Sequence, residues 1–266
     1  MAIPMVTFNN GNKFPILGLG TWQATKEECQ NSIRAALDAG YRHIDTAYAY
    51  GNEADIGEVL QEYMKAGKLK RSDFYITTKD TGTGLYPLKP DGTPAYLNLP
   101  PEKTWEGMEK AVKQGKAKNI GVSNFTCNQI ERICKIATIK PVTNQVECHA
   151  YFNQTDMQRF CQQRGILLTS YGSLGSPGRP DMLKVNVDCI LLDNPVIKKL
   201  ADKYKKSVGQ VLLRNLTQRN ILVIPKSIKP ARIKQNMQIF DFKLTDAEMK
   251  EIEGLQKNVR LFKNDL

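Results

Sequence analysis

Residues 43–79 read HIDTAYAYGNEADIGEVLQEYMKAGKLKRSDFYITTK. The order of patterns in this stretch decides the fold. A short apolar run, HIDTA at 43–47, ends on polar residues. Ile56, Val59, Leu60, Tyr63 and Met64 then recur at helical spacing. A second run, FYITTK at 74–79, ends on a lysine. Strand, helix, strand is the unit of a parallel sheet, because parallel neighbours need a crossover long enough to hold a helix.

The rhythm extends in both directions. Further strand-like runs are PILGLGT at 15–21, NIGVSN at 119–124, VTNQVE at 142–147, ILLTSYG at 166–172 and ILVIPKS at 221–227. Helical faces lie between them: Cys29, Ile33, Ala36 and Leu37; Trp105, Met108 and Val112; Ile130, Ile133, Cys134 and Ala137. Capping-box pairs open several of these helices, at Thr25 with Glu28, Thr126 with Gln129, Thr155 with Gln158 and Thr245 with Glu248. Gly18-Leu19-Gly20 lacks the third glycine of a dinucleotide-binding turn. Asp45, Lys79, Ser123, Asn124, Gln145, Tyr171, Lys226 and Ser227 all fall at or just past strand C-termini, where a (β/α)8 barrel carries its active site.

The 266 residues are 41% hydrophobic and 24% charged, which fits one α/β domain over residues 1–266. No apolar run reaches membrane-spanning length, and the N-terminus has no signal-peptide pattern. The six cysteines form no CxxC pair, so buried, reduced thiols of the cytoplasm are expected, without a metal site. The sequons at Asn124, Asn153 and Asn215 would matter only in a secreted chain. The net charge of +11 is spread along the chain without a nucleic-acid motif. It suits a solvated surface, or a preference for anionic ligands such as nucleotide phosphates.

Asp45, Tyr50 and Lys79 come from adjacent units and point to proton chemistry. A phenol titrates near pH ~10 and is a poor acid at neutrality. An ammonium beside it favours the phenolate, and a carboxylate can hold that ammonium in place. The same three residues also fit a structural ion pair beside a packed tyrosine. Lys226 and Arg232 flank Pro230 at a predicted helix start, a suitable place for a phosphate. Lys229 and Lys234 read as a solvated face.

Taken together, GLGTW, HIDTAYAYGNE, ITTK, IGVSNF, NQVECHAY, VIPKSIKPARIKQN and FDFKLTDAEM resemble the aldo-keto reductases of the aldose-reductase-like kind, over about residues 6–79 and 102–262. The resemblance implies a TIM (β/α)8-type barrel that reduces aldehydes or ketones with NADPH. It implies that Tyr50 donates the proton while Lys79 and Asp45 tune it. Gly20, Thr21 and Trp22 would line the site, with Trp22 and Tyr50 facing substrate. Ser123, Asn124 and Gln145 would grip the nicotinamide amide, and Tyr171 would stack on its ring. Leu174 and Ser176 would follow the pyrophosphate. Lys226, Ser227, Ile228, Arg232, Gln235 and Asn236 would meet the adenosine 2′-phosphate end. A cytoplasmic monomer acting on a small carbonyl compound is the family's default.

The sequence also departs from the family. The family's catalytic histidine is absent, because His43 begins a strand and His149 matches a non-catalytic position. The segment after Lys79 runs almost directly into YPLKPDGTP, which resembles the loop after the fourth strand, with the junction near Asp80–Gly84. One αβ unit, the third helix and fourth strand, is therefore expected to be missing, on the order of 30–40 residues. Gly172 and Ser173 replace the usual Ser-Pro and are expected to loosen the cofactor loop, and Gln235 stands where a glutamate is usual. The tail after RLFKNDL is expected to be short or missing. Three readings follow: a reductase, impaired by the missing histidine; a non-catalytic NADPH-binding protein; or a splice product or incomplete gene model of a reductase. An open barrel is also expected to be of low stability or prone to aggregate.

Overall fold

The computed structural model describes residues 2–79, 99–180 and 190–262. An antiparallel hairpin comes first, β1 (Met5–Thr7) with β2 (Lys13–Pro15). Seven parallel strands follow: β3 (Leu19–Gly20), β4 (His43–Asp45), β5 (Tyr75–Thr77), β6 (Val122–Ser123), β7 (Thr143–Glu147), β8 (Leu167–Tyr171) and β9 (Leu222–Val223). They match the seven runs read from the sequence.

Two sheets hold them, in the orders β3-β4-β5 and β6-β7-β8-β9. Parallel bridges Leu17↔Val223 and Gly20↔Lys226 join β3 to β9. Gly18 N donates to Val223 O and Val223 N to Ile16 O, both at 2.9 Å. The spatial series is therefore β5-β4-β3-β9-β8-β7-β6, with β5 and β6 at its ends. The expected loop and its junction near Asp80–Gly84 lie outside the described residues.

The helices are α1 (Lys26–Ala39), α2 (Glu53–Lys65), α3 (Pro101–Lys113), α4 (Cys127–Ile136), α5 (Thr155–Gln162), α6 (Pro195–Tyr204), α7 (Val208–Gln218), α8 (Pro230–Met237) and α9 (Asp246–Glu253). Capping boxes form at Thr25, Thr126 and Thr245 as expected, and also at Ser207 with Gln210. Thr155 does not cap. It is the first residue of α5, and its own amide and hydroxyl donate to Asn153 Oδ1.

The faces of α1 and α2 pack as their periodicity predicts. Cys29, Ile33, Ala36 and Leu37, with Ile56, Val59, Leu60 and Tyr63, are buried against Leu19 and Ile44 of the sheet. Each such aliphatic side chain contributes about 1.5–3 kcal/mol. On α3 the expectation fails at Met108, which is exposed, while the next residue, Glu109, is buried. The Glu109 carboxylate accepts the Ile139 amide at 2.9 Å, so burial there satisfies a main-chain donor.

The hairpin packs Phe8 and Phe14 with Val142 and Leu222 at the N-terminal ends of the strands. Phe14 meets the rings of His43 at 4.6 Å and Tyr75 at 5.0 Å. That end is closed, and the opposite end carries the polar strand termini. Of the cysteines, Cys29, Cys148 and Cys161 are buried free thiols, while Cys127 and Cys134 are only half-buried. Burial pushes the Cys29 thiol up to about 11 and those of Cys148 and Cys161 up to about 12. Among the described residues no helix is long and apolar enough to cross a membrane, and no cluster could hold a metal ion.

Candidate active site

Parallel register puts the chemical residues at one level. Gly20 pairs with Asp45 and Asp45 with Thr77. Ser123 pairs with Gln145, and Glu147 with Tyr171. All lie at the open end of the strands.

The most ordered part of the site is around Asp45. Its carboxylate is buried and accepts Lys79 Nζ on both oxygens at 2.9 Å. Gln145 Nε2, from β7, donates to Asp45 Oδ1 at 2.9 Å. Burial pushes the Asp45 carboxyl up, and the Lys79 charge and the bonds from Lys79 and Gln145 draw it back part of the way.

Tyr50 lies on a short 3-10 turn, Tyr48–Tyr50, that hangs from the end of β5. Thr46 N donates to Thr77 O and Tyr48 N to Lys79 O, both at 2.8 Å. Lys79 Nζ is 5.9 Å from the centre of the Tyr50 ring. The three residues read from the sequence are thus brought together.

Asn52 was not anticipated. It is buried, accepts Thr46 Oγ1 at 2.7 Å and donates to Thr21 O at 3.0 Å, tying the Tyr50 turn to the end of β3. Thr21 Oγ1 in turn donates to Asp45 O at 2.9 Å. A polar residue beside Gly51 at a helix start reads as an N-cap, yet Asn52 makes no cap bond. Its partners lie 6 and 31 positions before it, and neither spacing is a capping pattern.

The second part of the site lies on β6 to β8. Ser123 Oγ donates to Gln145 O at 3.0 Å. Asn124 takes a left-handed conformation at φ 58° and accepts Tyr171 OH at 3.0 Å. Beyond Tyr171 the loop is tied rather than loose. Ser173 is buried, its hydroxyl lies 2.7 Å from Ser170 Oγ, and Gly175 N donates to Gly172 O at 2.8 Å. Leu174 is half-buried against the core, and Ser176 is left-handed at φ 41°.

The third part follows β9. Lys226, Ile228, Arg232 and Gln235 are exposed, Ser227 is half-buried and accepts the Lys229 amide, and Asn236 is buried in α8. Among the described residues no ion pair involves Lys226 or Arg232, and none of this group bonds to Asp45, Lys79 or Gln145. The Gly20↔Lys226 bridge and the Gly20 N to Pro225 O bond at 3.2 Å tie them to the site.

Both histidines are buried, His43 beneath this polar end and His149 just past the end of β7. His43 is buried beneath it with Nε2 3.0 Å from Thr77 Oγ1, and burial and the Lys79 charge hold its pKa at about 3. His149 is buried with Nε2 2.8 Å from Glu147 Oε1.

The chain as a whole is similar to known proteins. The model of the aldo/keto reductase family matches residues 16–98 and 93–257. The chicken (Gallus gallus) aldo-keto reductase family 1 member A1 is 42% identical over 294 positions, covering 96% of this chain and 89% of its own. The human (Homo sapiens) member A1 is 36% identical over 303 positions, covering 98% and 91%. The structure of the aldose reductase from Schistosoma japonicum superposes with a TM-score of 0.88 at 34% identity, over 98% of this chain and 94% of that one. A Bombyx mori aldo-keto reductase solved in complex with NADP gives 0.86 at 33% identity, over 98% and 95%. Such neighbours imply a (β/α)8 architecture, and the chain belongs to the aldo/keto reductase family.

Proposed function

We propose that this chain is an NADPH-dependent reductase of small aldehydes or ketones with Tyr50 as its proton donor. The observation that carries the reading is the two-oxygen contact of Lys79 with buried Asp45, 5.9 Å from the Tyr50 ring. Asp45 fixes the ammonium. The ammonium stabilises the phenolate left when Tyr50 gives its proton to a carbonyl oxygen. Trp22, half-buried at the same end, bounds the carbonyl's site.

The residues present fit a dinucleotide. Ser123, Asn124 and Gln145 offer hydroxyl and amide groups at adjacent strand ends for a carboxamide, and Tyr171 offers an aromatic ring. Leu174 and Ser176 follow along the pyrophosphate. Lys226 and Arg232, exposed and unpaired among the described residues, suit a 2′-phosphate, with Ser227, Ile228, Gln235 and Asn236 around the adenosine. NADPH supplies the hydride when bound; the protein orients the carbonyl and delivers the proton.

The reading includes the loss of one helix and strand after Lys79. Three observations support it. β5 and β6 sit at the two ends of the parallel series among the described residues. The alignments of 294 and 303 positions exceed the chain's 266 residues, so the relatives carry segments this chain lacks. The family match breaks in the stretch after Lys79, into two pieces that overlap at residues 93–98, past the expected junction. We also infer a cytoplasmic monomer, which sedimentation and cell fractionation test.

A second reading is NADPH binding without turnover. It is favoured by the burial of both histidines with their Nε2 atoms engaged, His43 at Thr77 and His149 at Glu147, so that neither offers a free imidazole nitrogen there to a carbonyl. NADPH oxidation with a nitrobenzaldehyde, beside titration of NADPH fluorescence, decides between them. For the reductase we expect turnover that Tyr50→Phe lowers about 10²–10⁴-fold with unchanged NADPH affinity. Binding without turnover selects the second reading, and no binding removes both.

A further inference from the structure

The last described residues cross the open end of the strands. Leu261 N donates to Glu147 Oε1 at 2.5 Å, and Phe262 N lies 3.4 Å from Glu147 Oε2. Leu261 is 0% exposed and Phe262 8%, so the crossing is packed rather than draped. The Phe262 ring stands 5.5 Å from Tyr171 at 77° and 6.0 Å from Trp22 at 53°. A Cβ on Gly172 would come within 3.2 Å of Phe262 Cε2, so the bare glycine leaves room for the ring.

Glu147 is unusual in what satisfies it. Its carboxylate is 1% exposed, and a buried carboxylate is costly unless hydrogen-bonded. One partner is local, His149 Nε2 at 2.8 Å. The other two are main-chain amides more than a hundred residues away in sequence. Glu147 also pairs in register with Tyr171. One strand-end carboxylate therefore pins the segment and sets its ring against the neighbouring strand's tyrosine.

We propose that Glu147 is the latch of a gate, closed in the free chain, in which Phe262 covers Tyr171 and Trp22 and must swing away before a planar ring such as nicotinamide stacks there. This rests on the reductase reading, because both covered rings belong to its site. Glu147 acts through Phe262 and is a positioning residue. The gate slows admission of the dinucleotide without taking part in proton transfer.

Stopped-flow NADPH fluorescence reads the gate directly. Phe262→Ala, a truncation at the mouth that disturbs no buried polar group, is expected to raise the association rate at least fivefold. Trypsin reads the latch without cofactor. Arg260 is exposed while Leu261 is buried, so Glu147→Gln, which keeps one accepting oxygen, should speed cleavage after Arg260 several-fold while its thermal melt stays cooperative. An unchanged or slower association rate in Phe262→Ala overturns the gate and leaves the reductase reading standing. Equal cleavage in Glu147→Gln and the parent overturns the latch. If neither the parent nor Phe262→Ala binds NADPH, the reductase reading and the gate fall together; binding by Phe262→Ala alone is the strongest support for both.

Discussion

The three strands β3-β4-β5 and the four strands β6-β7-β8-β9 differ in what they carry and in how tightly they carry it. The first group holds Asp45, Lys79 and Tyr50, the residues proposed for the proton step, in a dense web. Thr21, Thr46 and Asn52 tie each loop to the next with buried bonds. The second group carries Ser123, Asn124, Gln145 and Tyr171, the residues proposed to meet the dinucleotide, and leaves exposed cations after β9. Proton placement tolerates little slack, because reacting atoms must stay at hydrogen-bond reach. A nucleotide site can leave polar groups waiting for their partner. The two groups meet along the β3–β9 seam, and one side-chain bond, Gln145 to Asp45, couples their chemistry across the site.

Breaking the seam should have the largest effect. A Cβ on Gly20 would sit 2.6 Å from the main-chain oxygen of Ile224, which has no side-chain freedom to retreat. Gly20→Ala is expected to cost about 3 kcal/mol, the upper end for overpacking, and to lower the melting temperature by several degrees. A melt within one degree of the parent would show that the two groups are not held by this contact.

Cutting the Gln145–Asp45 bond comes next. Gln145→Ala leaves Asp45 paired with Lys79 but removes a charge-assisted bond between the groups. The expected cost is about 2 kcal/mol. Lys79 and Asp45 stay in place, so the stability loss should exceed any loss of the proton step. A double-mutant cycle with Asp45→Asn should show coupling. Additive effects would mean that the groups act independently.

Much of this contrast is legible in the sequence, and what is not has physical causes. All seven parallel strands can be read because each is an apolar run ending on polar residues. Asp45, Tyr50 and Lys79 can be read because they follow such ends. The β1–β2 hairpin is less visible because its strands are three residues long. Asn9-Asn10-Gly11-Asn12, with Gly11 at φ 83°, is the turn signal that would have found it. Periodicity alone puts Met108 inside, because it ignores that Glu109 can be buried once it satisfies the Ile139 amide. Asn52, the Gln145–Asp45 bond and the Glu147–Phe262 crossing were not visible. The last two join residues 100 or more positions apart and Asn52 reaches 31 back to Thr21, and hydrogen-bond geometry across strands leaves no local pattern.

Acid should separate the two groups. His43, in β4, is held neutral with a pKa of about 3, against about 6.5 for an exposed imidazole. Below pH ~6.5 the unfolded chain takes up a proton that the folded chain refuses. Stability is therefore present above ~6.5 and lost as pH falls from there toward about 3, by about 1.4 kcal/mol for each unit. Hydrogen exchange at pH 5.5 against pH 7.5 should show β3-β4-β5 loosening first. Uniform loosening across all seven strands would mean that the groups unfold as one.

The smallest expected effect lies at the far edge of the second group. Burial would raise the Glu248 carboxyl, but bonds from Lys203, Tyr204 and the Thr245 amide outweigh it and bring it down to about 2. Its contribution is thus present above the ordinary carboxylate range and lost as pH falls from about 4.5 toward about 2. That window opens two units below the one for His43, so the second group should resist acid longer. Glu248→Gln should cost about 1 kcal/mol at pH 7, discounted for solvent near the Lys203 ammonium, and almost nothing at pH 2.5. A variant equally destabilised at both values would place the effect in lost packing between α6 and α9 rather than in charge.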